Sequence, residues 1–148
     1  MKSHHPADPA FERLKERCKA AGLALTPQRV AIYRALAESF DHPSPEALFD
    51  RVRPHMPSVS LATIYKTLET LVSLGIASEL PATGDTKRYD ANMERHHHLV
   101  CDHCNAIEDF SDASLELKPP RTKNGFVARS VSVHIHGLCR RCSGLARA

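Results

Sequence analysis

Nowhere in this 148-residue chain do the apolar residues run on for the roughly 18–20 positions that a membrane span requires, which excludes an integral membrane protein. The opening residues, Met1-Lys2-Ser3-His4-His5, lack the apolar run of a secretory signal, so a cytoplasmic location is expected. Tryptophan is absent. A strong excess of one charge is also missing: 20 Lys and Arg against 17 Asp and Glu leave +3, well short of a histone-like composition. What the chain does hold is 42% hydrophobic residues, enough for a packed core and too many for disorder. It also holds ten His and five Cys, which makes metal the first question. The length suits one domain of ordinary size or two small ones.

The composition changes partway along. Residues 1–85 carry ten basic and ten acidic side chains, whereas residues 86–148 carry ten and seven, so the whole excess of three lies in the second part. The His and Cys beyond residue 95 gather in two clusters, at 95–104 and 134–142. We therefore expect a first domain over 1–85, a hinge over 86–95 and a second domain over 96–148.

In the first part, start and stop signals recur. Asp8-Pro9, Thr26-Pro27 and Ser44-Pro45 each read as an N-cap followed by proline at the first helical position, and Ser60 caps a fourth helix. Gly22 and Gly75 read as helix stops. Apolar stripes at helical spacing are Phe11, Leu14, Cys18 and Ala21; Ile32, Tyr33, Leu36 and Phe40; Leu48, Phe49 and Val52; and Ile64, Leu68, Leu71 and Val72. Residues 76–80 and 86–89 then flank Ala82-Thr83-Gly84-Asp85 as a hairpin.

Helices followed by a hairpin are the order of a winged helix-turn-helix. The fourth helix is the candidate reader of double-stranded DNA, with Ser60, Ala62, Thr63, Lys66 and Thr70 outward and Tyr65 at the edge of that face. Small residues and hydroxyls allow close approach to a major groove, while Lys66 and Tyr65 suit phosphate or base edges. The wing offers Lys87 and Arg88 to the DNA backbone. The plainer alternative is a helical bundle with a solvated polar face.

Cys101-Asp102-His103-Cys104 and Cys139-Arg140-Arg141-Cys142 are two C-x-x-C knuckles, separated by 34 residues. Four convergent thiolates make a closed, structural zinc site. Two disulfides conflict with the missing secretory signal, and a redox pair leaves the second knuckle unexplained. The fifth cysteine, Cys18, lies on an apolar helix face and reads as an inert thiol, with redox sensing the alternative. In a strand, His96 and His98 share a face and His97 points the other way. With Asp90, Asp109 and His42 they could form a mixed nitrogen–oxygen site suited to Fe²⁺, Mn²⁺ or Zn²⁺. A merely polar, His-rich turn is the alternative. His134 and His136 read as surface or packing residues, and His4 and His5 as a terminal addition.

Together these residues resemble the ferric uptake regulator family from about residue 11 to 142. The resemblance is carried by Leu25-Thr26-Pro27-Gln28-Arg29, residues 60–68, Arg88-Tyr89-Asp90, residues 96–101 and both knuckles. It implies an α+β chain: an N-terminal winged helix-turn-helix and a small C-terminal α/β dimerisation domain with structural zinc. It also implies a homodimer on AT-rich inverted repeats, acting as a metal-loaded repressor. The match is nearest the peroxide-sensing branch, often called PerR, whose regulatory ligands fall on His42, Asp90, His96, His98 and Asp109. Iron sensors tend to carry Glu where Asp90 and Asp109 stand. In that branch bound Fe²⁺ reacts with peroxide and a ligand is oxidised, here His42 or His96. Val131 and His97 replace residues of an additional site found in iron sensors, which implies its absence. Lys66 stands where some peroxide sensors carry a small polar residue.

Three rivals remain. One is an iron-, manganese- or zinc-responsive regulator of metal uptake without peroxide sensing. Another is a zinc-scaffold interaction module that does not bind DNA. A zinc hydrolase or deaminase is disfavoured, because His98-Leu99-Val100-Cys101 lacks the Glu and Pro of a deaminase, and four thiolates leave no open zinc position. No enzyme activity is expected.

Overall fold

Each helix begins where a side-chain oxygen meets an unpaired backbone N–H. The computed structural model describes residues 8–115, 117, 118, 120–128 and 131–144; His4 and His5 lie outside them. Asp8, Thr26, Ser44 and Ser60 accept from the N–H groups of Ala10, Arg29, Ala47 and Thr63, opening α1 (Pro9–Ala20), α2 (Pro27–Ala37), α3 (Pro45–Val52) and α4 (Leu61–Ser73). A cap of this kind contributes about 1 kcal/mol. Helices α1 and α4 end in Schellman motifs. Gly22 (φ +66°) and Gly75 (φ +69°) take the left-handed position, while Leu23 and Ile76 donate back to Cys18 and Leu71.

The chain forms two units, Met1–Met93 and Glu94–Ala148. In the first, α2 packs on α1, α3 and α4, and a hairpin of β1 (Ser78–Thr83) and β2 (Thr86–Asp90) closes over them. Its core is Leu14, Cys18, Ile32, Tyr33, Leu36, Leu48, Ile64, Leu68 and Leu71, with Ile76 and Tyr89 from the hairpin segment. Burying each large aliphatic side chain contributes about 1.5–3 kcal/mol. Cys18, 1% exposed, sits in this core as a packing residue.

Four expectations change. Residues 86–90 are strand, in line with the hairpin reading of 86–89 and against a hinge over 86–95, because their backbone completes the ladder with β1, and the division between units falls after Met93. The hairpin turn narrows to Gly84-Asp85, since Thr83 pairs with Thr86. Phe40 is 88% exposed, because α2 ends at Ala37 before that stripe position is reached. Val72 is 36% exposed at one edge of the α4 stripe, and Thr67, 5% exposed, is buried at the opposite edge. Phe40→Ser should accordingly shift the unfolding free energy by no more than about 0.5 kcal/mol in a urea titration. A loss of about 3 kcal/mol would mean that the ring is buried.

The second unit holds a three-stranded sheet in the order β4-β3-β5, with β3 at His97–Cys101, β4 at Ile107–Phe110 and β5 at His134–Gly137. Strand β4 runs antiparallel to β3, and β5 runs parallel to it. A 3₁₀ turn, Ala113–Leu115, follows β4. No described helix in either unit is long and apolar enough to cross a membrane.

Candidate metal centres and candidate nucleic-acid interface

The parallel pairing of β3 with β5 assembles the four-cysteine cluster. Cys101 ends β3 opposite Gly137, and Cys139 follows two residues later. Asp102 N–H donates to the Gly137 carbonyl at 2.8 Å, tying the two knuckles together. Each knuckle then curls back on itself: Asn105 N–H returns to Cys101 and Ser143 N–H to Cys139, at 2.9 and 2.8 Å. One sulfur from each of Cys101, Cys104, Cys139 and Cys142 lies within 4.8 Å of the others, and all are free thiols. The Cys104 and Cys139 sulfurs are 3.7 Å apart. A tetrahedral Zn–S bond of about 2.3 Å sets sulfurs about 3.8 Å apart, so the cage fits zinc.

The same crowding splits the acidities of these thiols. Backbone N–H groups of Cys139 and Cys104 hold the Cys101 thiol down to about 6. The Cys139 sulfur, then burial, pushes Cys142 up to about 12. Four neighbouring thiols cannot all ionise unaided, and a divalent cation among them removes that obstacle.

On the opposite side of β3 from Leu99, a second cluster forms within the same unit. The His98 and His96 Nε2 atoms are 3.0 Å apart. Asp109, across the ladder from His98, places Oδ1 3.6 Å from His98 Nε2 and 3.4 Å from His96 Nε2. His96 Nδ1 donates to the Glu94 carbonyl at 2.6 Å, which fixes the tautomer and leaves the Nε2 lone pair facing its neighbours. Two nitrogens bound side by side at about 2.1 Å in an octahedral shell are separated by about 3.0 Å, so this cluster also fits a cation. His97 points away, as strand alternation requires, and its Nδ1 accepts the Val133 N–H at 3.2 Å. Of the surface and packing alternatives His134 takes the second: its ring stacks on His98 at 5.1 Å between centroids. Burial, then the charge of neighbouring His98, holds its pKa below the usual histidine value, favouring a neutral ring in the stack. The strand register, invisible in the sequence, makes that contact. His136 pairs with Asp102 at 2.9 Å on the surface.

His42 and Asp90 belong to the first unit and meet there, His42 Nε2 lying 3.3 Å from an Asp90 oxygen. Both are buried. His42 lies in the α2–α3 loop rather than on α2, at φ +53°, a left-handed conformation that costs a residue with a Cβ roughly 1–2 kcal/mol. The Arg88 guanidinium donates to the carbonyls of His42 and of Asp41, the latter at 2.6 Å, while Arg51 holds the Asp41 carboxylate at 2.8 Å. Arg88 thus turns onto the loop, not outward to a phosphate as its place in the wing had suggested. Asp41 and Arg51 went unnoticed in the sequence. The available signal was His42-Pro43, which marks a turn without giving its hand.

Helix α4 presents Ala62 and Lys66 fully outward, with Thr63 and Thr70 half-buried. Ser60 Oγ caps Thr63 and contacts its hydroxyl at 2.9 Å, so both hydroxyls are engaged at the helix start. The Tyr65 hydroxyl donates to Glu46 at 2.6 Å, which raises the Tyr65 pKa and lowers that of Glu46. Lys87 is exposed and reaches Glu79 at 3.1 Å.

Known proteins resemble this chain in sequence and fold. The chain is 34% identical over 126 residues to the peroxide-responsive repressor PerR of Staphylococcus aureus, covering 84% of this chain and 85% of that one. The ferric uptake regulator Fur of Helicobacter pylori, a structure with three functional metal-binding sites, superposes with a TM-score of 0.74 at 26% identity, over 90% of this chain and 91% of that one. The peroxide stress regulator of Campylobacter jejuni superposes with a TM-score of 0.65 at 32% identity, over 89% and 98%. Residues 20–136 match the model of the ferric uptake regulator family. The chain therefore belongs to the ferric uptake regulator family, whose members are metal-responsive, DNA-binding transcription regulators and not enzymes.

Proposed function

We propose that this chain is a cytoplasmic, homodimeric repressor that binds double-stranded DNA when metal-loaded and leaves it when peroxide oxidises a ligand histidine. The observation that carries the reading is the mixed cluster of His96, His98 and Asp109, whose donor atoms lie 3.0–3.6 Å apart. His42 and Asp90 would complete a shell of three nitrogens and two carboxylates on one Fe²⁺ or Mn²⁺. Zn²⁺ would occupy the four cysteines and hold the second unit together. Asp at both carboxylate positions, together with the likeness to the Staphylococcus aureus repressor, favours peroxide sensing.

Bound Fe²⁺ would supply the electron that breaks the O–O bond of peroxide beside the imidazoles. Oxidation of His42 or His96 would then remove a nitrogen donor, weakening the shell. Because metal binds the DNA-competent form more tightly, its loss shifts the dimer off DNA. A two-fold dimer calls for an inverted repeat, which we take to be AT-rich. We assign its reading to the Ser60, Ala62, Thr63, Tyr65 and Lys66 face of α4, with Lys87 on the backbone. Lys66 and Lys87 would supply positive charge in a half that is neutral by count.

A second reading, metal sensing without peroxide, is favoured by the likeness to the Helicobacter pylori regulator. Mass spectrometry after dilute H₂O₂ separates the two. The Fe²⁺-loaded protein should gain one oxygen atom on His42 or His96, and the Mn²⁺-loaded protein should not. Unmodified histidines in the iron form would leave the metal-sensing reading standing.

A further inference from the structure

Three consecutive residues of β2 grip three consecutive residues of the α2–α3 loop. Arg88 donates to the carbonyls of Asp41 and His42. Tyr89 N–H donates to the Pro43 carbonyl at 3.2 Å. Asp90 faces the His42 ring at 3.3 Å. Arg51 from α3 holds Asp41 from the other side. His42 sits within this grip in a left-handed conformation that its own backbone does not favour.

We propose that Arg88 is a positioning residue for the His42–Asp90 half of the regulatory metal site and not a DNA phosphate contact. This rests on the reading of His42 and Asp90 as metal ligands. A guanidinium is planar and carries five donors in a fixed fork, so it can hold two adjacent carbonyls in one geometry. Those carbonyls flank the backbone that aims the His42 ring at Asp90. Without the fork the loop relaxes toward ordinary φ values and the ring swings away, so metal binding must re-form the turn. A lysine offers a point charge on a flexible stem and cannot hold both carbonyls at once. The strand therefore orders one half of the metal site from within the wing.

The test uses the full-length, zinc-loaded protein with Mn²⁺ alone as the probe, by calorimetric titration. A second readout is the slope of log K against log salt for the Mn²⁺-saturated protein on an AT-rich duplex. Arg88→Ala should weaken Mn²⁺ binding about 10–100-fold, the usual cost of losing a group that orients a ligand. Arg88→Lys should not restore it. The salt slope of both variants should stay that of the parent, whereas Lys87→Ala should reduce it by about 1.8, the loss of one phosphate contact in each protomer of the dimer. If Arg88→Ala unfolds, Arg88→Lys carries the same comparison. Parental Mn²⁺ affinity in the Arg88 variants, or a slope reduced by about 1.8, overturns the assignment. Asp90→Asn tells the two readings apart. If it binds Mn²⁺ normally, the ligand assignment falls and the role of Arg88 with it. If it loses Mn²⁺ while Arg88→Ala keeps it, the role of Arg88 alone falls.

Discussion

Cys101→Ser is expected to strip the zinc from the protein and unfold the second unit, leaving α1 to β2 folded. The two units differ sharply in what holds them together. Every residue of the main hydrophobic cluster lies between Leu14 and Ala91. Among the described residues of the second unit, the buried apolar side chains are Val100, Cys101 and Ile107. Three such side chains contribute of the order of a few kcal/mol, whereas structural zinc in small domains supplies about 10–16 kcal/mol. Cys101 is the most buried of the four cysteines and joins the knuckle to β3, so its sulfur ties the ion to the sheet. The measurements are zinc content by atomic absorption and amide exchange resolved by segment. We expect zinc to fall to background, protection of β3 and β5 to collapse, and protection of α2 and α4 to persist. A zinc-free variant with native protection in β3 would refute the structural role.

Removing His98 should have the opposite profile: zinc and fold retained, response to metal lost. His98 is buried on the face of β3 opposite Leu99, where its Nε2 lies 3.0 Å from His96 and 3.6 Å from Asp109. Its backbone stays in the ladder whatever the side chain, since its N–H donates to the Val133 carbonyl at 3.0 Å. His98→Ala takes away one nitrogen donor and the ring on which His134 stacks. Loss of a direct ligand should cost at least the 10–100-fold in Mn²⁺ affinity that loss of an orienting group costs. Coupling between effector and ligand sites is typically 5–150-fold, and the variant should lose all of it in DNA affinity measured with and without Mn²⁺. A variant that still tightens on DNA with added Mn²⁺ would remove His98 from the ligand set.

How much of this was legible beforehand depended on the range of the interaction. Helix starts were readable because an N-cap is a contact between residues two or three apart, as in Ser44 with Ala47. The Gly22 and Gly75 stops were readable for the same reason. Phe40 was misjudged because periodicity cannot say where a helix ends, and α2 stops at Ala37, just short of it. Val72 was misjudged because it lies at one edge of the α4 stripe, and packing covers the opposite edge, at Thr67, instead.

Each knuckle was readable as a ligand pair, since C-x-x-C brings two sulfurs together by local geometry alone. That the two knuckles meet is decided by the parallel register of β3 and β5, which sets Cys101 beside Gly137. The His96–His98 pair followed from strand alternation, but Asp109 as its partner needed the β3–β4 ladder, and the stacking of His134 needed β5. Arg88 shows the limit most plainly. Its position in a wing suggested DNA, whereas the fold turns its guanidinium onto the loop that holds His42. Residue types and short spacings thus determined which groups are available for chemistry: two thiol pairs, a His-rich strand with nearby carboxylates and a polar helix face. Which side chains meet was decided by tertiary structure, because donors brought together across tens of residues depend on strand register and loop handedness, which no local pattern encodes.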